Sequence, residues 1–336
     1  MTSAGMVLEI DGLSVTYSRG LGRPPLKAVS DVSFSVARGK TVSIVGESGS
    51  GKTTIGSAVL GLQPVSAGSI KLNGTDIARF NRTERKALRE TLQAVFQDPY
   101  SSLDPTKTIG DAVGEPIRVA QPHLGAAVVR DRVVEVLARV GLDPTLMHRF
   151  PAEFSGGQRQ RIAIARALVL KPQIVVCDEA VSALDVSVQA QVLNLLEQLQ
   201  RDDGMSYMFI SHNMAVVRHI SDRIVVLYRG RVMEAGDAED VCDRPAHPYT
   251  RSLLAAVPVP DVKVQRERRR IRGLTVADFR KLPATGCPFA PRCPFATEAC
   301  VKAQPPPVKI ADGREVACIR MNEIPAAESR SALGVT

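Results

Sequence analysis

Residues Gly46-Glu47-Ser48-Gly49-Ser50-Gly51-Lys52-Thr53 constrain this chain more than any other stretch, because glycines, a lysine and a hydroxyl at this spacing suit one task, gripping phosphate. The β-branched run Thr41-Val42-Ser43-Ile44-Val45 before it predicts a buried strand, and Thr54 to Leu60 after it predicts a helix. Glycines let the backbone fold back so that several N–H groups converge on a β-phosphate, while the helix N-terminus adds partial positive charge. Lys52 is then placed to reach the β- and γ-phosphates, and the Thr53 hydroxyl to ligate Mg²⁺. A Gly-rich turn without a ligand is the alternative, and it leaves the strand, the Lys-Thr pair and the helix in register for no reason.

Two further stretches extend the phosphate chemistry. Gln173-Ile174-Val175-Val176-Cys177-Asp178-Glu179 is an apolar strand ending in two carboxylates, which puts acids at the C-terminal edge of a parallel sheet, where open α/β sheets bind ligands. Asp178 reads as a holder of Mg²⁺ and Glu179 as the group that orients or deprotonates an attacking water. Phe154-Ser155-Gly156-Gly157-Gln158 precedes a run from Arg159 to Leu168 with apolar residues at helical spacing. Ser155 is therefore an N-cap candidate, and the glycines leave backbone donors uncovered, making a second anion-binding helix start. One nucleotide needs only one such start.

The Ser-Gly-Gly-Gln segment, with Phe154 in the usual Leu position, resembles the signature of ATP-binding cassette (ABC) ATPases, and the resemblance covers roughly residues 5 to 258. It implies an α/β P-loop NTPase fold: a RecA-like core sheet, an inserted helical subdomain and an N-terminal antiparallel β part, here followed by a small C-terminal extension carrying cysteines. It also implies that Ser155, Gly156, Gly157 and Gln158 of one subunit cap the γ-phosphate held by the partner's P-loop, so that two cassettes pair head to tail. The loop residues Gly46 to Thr54 would hold ATP. Tyr17 matches the aromatic that stacks on adenine, its ordinary alternative being a strand Tyr packed on a sheet. Gln97 matches the Gln that touches Mg²⁺ and water, and Ser182-Ala183-Leu184-Asp185 the loop that crosses to the partner. His212 matches the His that contacts the γ-phosphate and supports Glu179. Ala180-Val181 replaces the family's Pro-Thr after the acids, a departure outside the groups doing chemistry.

The 336 residues suffice for a full core plus an appended segment, and although 44% are apolar, no uninterrupted run approaches the ~20 needed to span a bilayer. The start, Met1 to Asp11, lacks the basic and apolar blocks of a signal peptide, which predicts cytoplasmic residence with membrane attachment through a partner. The net charge of +8 raises nucleic acid as a ligand, yet acids are interspersed with the bases over most of the length. Only Arg266-Glu267-Arg268-Arg269-Arg270-Ile271-Arg272 is dense, read as a solvated linker face or a contact with phospholipid headgroups or a permease.

Along the chain, strands and the P-loop helix occupy 7 to 99, with a return to the sheet at Leu92 to Gln97; Asp111 to Leu142 turns helical, and a helical subdomain is expected at about 98–171. Val186 to Leu199 reads as an amphipathic helix, Arg223 to Ala235 as strand, Arg229-Gly230 turn and strand. The cassette should end beyond Gly236, the domain itself at about 258, and 259–336 should form the extension. No internal repeat or second P-loop is visible, so the partner cassette is expected on a separate chain.

His247-Pro248-Tyr249-Thr250-Arg251-Ser252-Leu253-Leu254 with Val257-Pro258 resembles the tail of the ATPase subunits of peptide and nickel importers, whose relatives serve dipeptides, oligopeptides and glutathione. Lys27 to Phe34 and Asp98 to Pro105 look like the second of the two ATPases such importers carry. The resemblance implies ATP-driven peptide import at the cytoplasmic face of the membrane. The expected partners are a paralogous ATPase, two transmembrane permeases and an extracytoplasmic solute-binding protein. Nickel or glutathione is the alternative cargo. A soluble cassette acting on nucleic acid is the rival of another class, lacking here its usual paired cassettes or coiled-coil insertions.

Four of the six cysteines, Cys287, Cys293, Cys300 and Cys318, fall in the tail. Four thiolates suit Zn²⁺ or an iron–sulfur cluster, and the spacing lacks the Cys-x-x-Cys pairs of structural zinc; ordinary reduced cysteines are the third option. Family members with this tail bind a [4Fe–4S] cluster, which the resemblance therefore implies. Cys177 and Cys242 read as structural.

Overall fold

A computed structural model of the chain describes residues 5–20, 23–98, 102–257 and 285–324. The basic run 266–272 and Pro99 to Ser101 lie outside the described residues. In chain order the elements are β1 (Met6–Tyr17), β2 (Leu26–Ala37), β3 (Thr41–Val45), α1 (Lys52–Leu60), β4 (Ala67–Leu72), β5 (Thr75–Asp76), α2 (Arg82–Lys86) and β6 (Leu92–Val95). Then come α3 (Ile109–Ala120), α4 (Ala126–Arg139), α5 (Gly156–Leu168), β7 (Ile174–Asp178), α6 (Val186–Asp203), β8 (Ser206–Ser211), α7 (Met214–Ile220), β9 (Arg223–Tyr228) and β10 (Arg231–Asp237). The chain continues through α8 (Ala238–Asp243), α9 (Pro248–Ala255), α10 (Glu298–Lys302), β11 (Val308–Lys309) and β12 (Glu315–Val316).

The chain divides into two compact units. The first is drawn from Met1–Leu13, Ser33–Thr41 and Thr53–Ile210. In it β6, β7 and β8 form a parallel ladder, Val95 facing Cys177 and Asp178 facing Ile210. Parallel strands need long crossovers. Helices α3 to α5 fill the one from β6 to β7, and α6 the one from β7 to β8. The helical reading of Asp111 to Leu142 holds with one break: α3 stops at Ala120, and the stretch Gln121 to Gly125, with Pro122 and Gly125, separates it from α4. Strands β4 and β5 turn through Asn73 and Gly74, both at positive φ, as a two-residue hairpin demands.

The second unit is drawn from Ser14–Val32, Val42–Lys52 and Ser211–Thr336. Here β3 runs parallel to β9, and β9 pairs antiparallel with β10 across the turn Arg229-Gly230, where φ is 48° and 77°. Further elements follow Gly236. Helices α8 and α9 follow, and β12 adds to β10 with Glu234 opposite Val316, while β11 pairs with β12.

A buried ion pair fixes that junction. Glu234 is 0% exposed and accepts from the backbone N–H groups of Ala246 and His247, each at 2.9 Å, and from Arg314 Nη1 at 3.1 Å. Arg314 also grips Asp312 from Nε and Nη2 and donates to the carbonyls of Asp240 and Arg244. Its stem crosses β10 at Gly236, where a Cβ would lie 2.3 Å from Arg314 Cγ. Burial pushes the Glu234 carboxyl up, and the donors around it work the other way.

Removing one member of such a pair strands the other charge. Glu234→Ala should cost about 3 kcal/mol, the scale for breaking a buried ion pair, read as a lowered urea midpoint by circular dichroism. Glu234→Gln, which keeps an acceptor oxygen, should cost less, and an unchanged midpoint in the alanine variant would refute the role.

Candidate functional site

The phosphate-binding loop follows β3, all five residues of which are buried. Its path needs glycine at two points. A Cβ on Gly46 would lie 2.1 Å from the Leu227 carbonyl oxygen, and one on Gly51, where φ is +103°, 2.7 Å from that of Ala28. Ser50 N–H donates to Glu47 O at 3.2 Å, and Gly230 N–H to Ser50 O at 2.7 Å. Lys52, only 5% exposed, donates from Nζ to the carbonyls of Gly46 and Glu47 at 2.9 and 3.0 Å. Ser50 Oγ is buried with no hydrogen-bond partner among the described residues. An orphan hydroxyl beside a buried ammonium, at the N-terminus of a helix with no acid in its first turn, fits phosphate.

Thr53, the last residue of the loop motif, donates from Oγ1 to Asp178 Oδ1 at 3.2 Å. Glu179 has φ 48°, left-handed and uncommon for a residue with a side chain. Its N–H donates to Ile210 O at 2.9 Å, and its carbonyl accepts from Ser182 N and Oγ at 3.0 and 2.9 Å. The acidic turn is thus held from both sides. Gln97 lies exposed just past β6, and on the neighbouring parallel strand β7 Asp178 is the last residue and Glu179 the next. His212 follows β8 directly, and Tyr17 is the half-buried last residue of β1.

Ser155 caps α5 as expected, and more fully than a single bond. Its Oγ accepts from Gln158 N–H at 3.3 Å while Gln158 Oε1 accepts from Ser155 N–H at 3.0 Å, a reciprocal capping box. A Cβ on Gly157 would lie 2.4 Å from Val188 Cγ1, so glycine lets α5 approach α6, whose N-cap is the exposed Asp185.

Cys287, Cys293, Cys300 and Cys318 line one small pocket with Phe289, Phe295 and His247. The backbone folds tightly there, Cys287 N–H donating to Cys300 O at 2.8 Å across Gly286, whose Cβ would strike Val301 O at 2.4 Å. Burial first, then the neighbouring sulfurs, push the Cys293 thiol up to about 11, and the same causes raise Cys287 and Cys318. Ionising these thiols calls for a cation among them. Among the described residues no three of His, Cys, Asp or Glu stand close enough to hold a single metal ion. Cys177 is fully buried, its thiol pushed by burial up to about 12, and Cys242 is buried.

The tail also reaches the phosphate loop, which sequence reasoning did not foresee. Glu47 N–H donates to the Tyr249 hydroxyl at 2.9 Å, and the Glu47 carboxylate accepts from Arg292 Nη1 at 2.8 Å. These partners stand 202 and 245 residues along the chain, beyond any local pattern.

The family description "ABC transporter" matches residues 29–182, and "Oligopeptide/dipeptide transporter, C-terminal region" matches residues 233–300. The oligopeptide transport ATP-binding protein OppF of Haemophilus influenzae is 44% identical over 325 residues, 94% of this chain and 97% of its own length. That of Escherichia coli K12 is 42% identical over 331 residues, 95% and 97% of the two chains. Among solved structures, the dimeric post-hydrolysis state of the ATP-binding cassette MJ0796 with ADP and Pi is 28% identical at a TM-score of 0.63, covering 69% of this chain and 98% of that one. With the loop, the acidic strand, the capped signature helix and the tail all in place, the chain belongs to the ATP-binding subunits of ABC transporters of the oligopeptide/dipeptide type.

Proposed function

We infer that this chain hydrolyses ATP to power peptide import by an ABC transporter, working at the cytoplasmic face of the membrane. The observation that carries the reading is a donor-lined helix start at Ser155, additional to the one phosphate loop, on a chain whose tail is of the peptide-transporter type. No described helix is long and apolar enough to cross a membrane, so permease subunits supply the passage and an extracytoplasmic binding protein the peptide. The second cassette is a paralogue on another chain, paired head to tail; the named cassette MJ0796 is likewise dimeric. In this reading residues 1–258 form the nucleotide-binding domain, with the helical subdomain at about 98–171, and 259–336 the extension.

Each site residue then has a task. Gly46, Glu47, Ser48, Gly49, Ser50, Gly51 and Thr54 shape the loop around the phosphates, and Lys52 turns from its backbone carbonyls to the β- and γ-oxygens. Thr53, Asp178 and Gln97 would hold Mg²⁺, which neutralises phosphate charge when bound. Glu179, on a turn pinned by Ile210 and Ser182, orients water and accepts its proton. His212 supports Glu179 and touches the γ-phosphate, Tyr17 stacks on adenine, and Asp185 faces the partner. Ser155, Gly156, Gly157 and Gln158 present their N–H groups to the partner's nucleotide.

The tail cysteines fit a [4Fe–4S] cluster. What supports the reading is that the four thiols line one pocket, the donor set such a cluster would take. Cys287, Cys293, Cys300 and Cys318 would hold it, and its cationic irons would offset the burial that disfavours their ionised forms. Its task is structural, ordering a Pro-rich segment.

Three outcomes follow. Glu179→Gln should bind ATP but turn it over about 10²- to 10⁴-fold more slowly in the assembled transporter; near wild-type turnover in an ATPase assay would remove Glu179 from its role. Ser155→Arg should leave nucleotide binding by the isolated subunit intact while ATP-driven peptide uptake in reconstituted vesicles collapses. Equal loss of binding by the isolated subunit would mean that the signature acts within its own chain. Protein purified anaerobically should be brown, with iron and acid-labile sulfide in near-equal amounts, and bleached by Cys→Ser at Cys287, Cys293, Cys300 or Cys318. Zinc without sulfide would reassign the pocket to structural zinc, and no metal would leave reduced cysteines.

A further inference from the structure

The cysteine loop carries more than cysteines. Arg292 precedes Cys293 and donates to Glu47 of the phosphate loop at 2.8 Å. The guanidinium is set in place by aromatic faces, 5.6 Å from the Phe289 ring centroid and 5.9 Å from that of Tyr228. Those two rings and Tyr249 form one cluster with centroids 4.5 to 5.6 Å apart, and Tyr249 bonds the N–H of the same Glu47. Tail residues therefore hold both the backbone and the side chain of one loop residue. A partly exposed ion pair contributes little to folding, so its meaning lies in its position. Glu47 places a carboxylate on a loop whose other features attract polyphosphate, and like charge there opposes binding.

We propose that Arg292 is a positioning residue for ATP binding: it neutralises the Glu47 carboxylate and draws it toward the aromatic cluster, so that the order of the cysteine loop sets the affinity of the phosphate loop. The proposal rests on the reading of Gly46 to Thr53 as the nucleotide loop. Arginine suits the post because its planar fork both stacks on rings and bonds a carboxylate. The Cys287–Cys293 turn sets where Arg292 stands, through Arg292 N–H to Phe289 O at 2.9 Å and Cys293 N–H to Ala290 O at 3.2 Å. Disorder in that turn would release Glu47 toward the phosphates.

The test uses the full chain, with binding of a fluorescent ATP analogue by the subunit and KM and kcat for ATP in the assembled transporter. Arg292→Gln should raise KM and the analogue's Kd about two- to fivefold, the span of a partly exposed charge pair, at a kcat close to wild type. Adding Glu47→Gln to that variant should bring KM back, because the opposing charge is gone. Arg292→Lys, which keeps the charge, should raise KM less than Arg292→Gln, and serves if the glutamine variant folds poorly. Cys293→Ser should weaken the analogue in the same direction. An unchanged KM in Arg292→Gln, or a rise that Glu47→Gln leaves in place, would overturn the proposal. Lys52→Ala is the control for the underlying reading: if it too left the analogue bound, the nucleotide loop itself would be misassigned, whereas loss in Lys52→Ala with no change in Arg292→Gln would sink the positioning role alone.

Discussion

Crowded backbone around the phosphate loop is the constraint on which the site depends. Leu227 O lies where a Cβ of Gly46 would stand, and Ala28 O where a Cβ of Gly51 would stand. The loop lies against neighbouring main chains: Gly230 N–H donates to Ser50 O at 2.7 Å, and Gly230 O in turn accepts from Ser30 N–H at 2.8 Å. Such bonds leave little freedom to lose when phosphate arrives, the condition under which preformed donors are worth most. The buried ammonium of Lys52, bonded to two carbonyls of the loop, adds to the same rigidity.

Charge is handled differently at two acids of the second unit. Glu234 accepts from two backbone N–H groups and from Arg314, and the pair is closed off from water. At Glu47 the acid is partly exposed, and it is bonded by one guanidinium held between rings. The first arrangement resists change, since an unpaired member would be stranded in a dry interior. The second is the adjustable one.

What could be read along the chain was what local spacing determines. The strand, glycine turn and Lys-Thr helix start are contiguous, so their periodicities and turn residues sit within a dozen positions of each other. Ser155 and Gln158, three apart, form the capping box that their types announce. The Arg229-Gly230 turn was equally visible. The pairing of β12 with β10 was not, because two-residue strands carry no periodicity and the partner lies about eighty positions away. The four cysteines Cys287, Cys293, Cys300 and Cys318 stood out in the sequence, but their shared pocket did not, because it depends on turns at Gly286 and Ala290. Arg292 gave no signal: an arginine between Pro291 and Cys293 looks like surface until Glu47 is found beside it.

The short hairpin on β10 has a consequence for how the chain tolerates shortening. Val232, Met233 and Ala235 of β10 are buried, and one side of that strand is occupied by β12, with Ala317 N–H donating to Met233 O at 2.9 Å. Cut the chain after residue 257 and that side becomes an open row of amide and carbonyl groups on an apolar strand, a template for pairing with another molecule. The final strands are thus a guard against self-association, and a truncated cassette would tend to precipitate however intact its nucleotide loop.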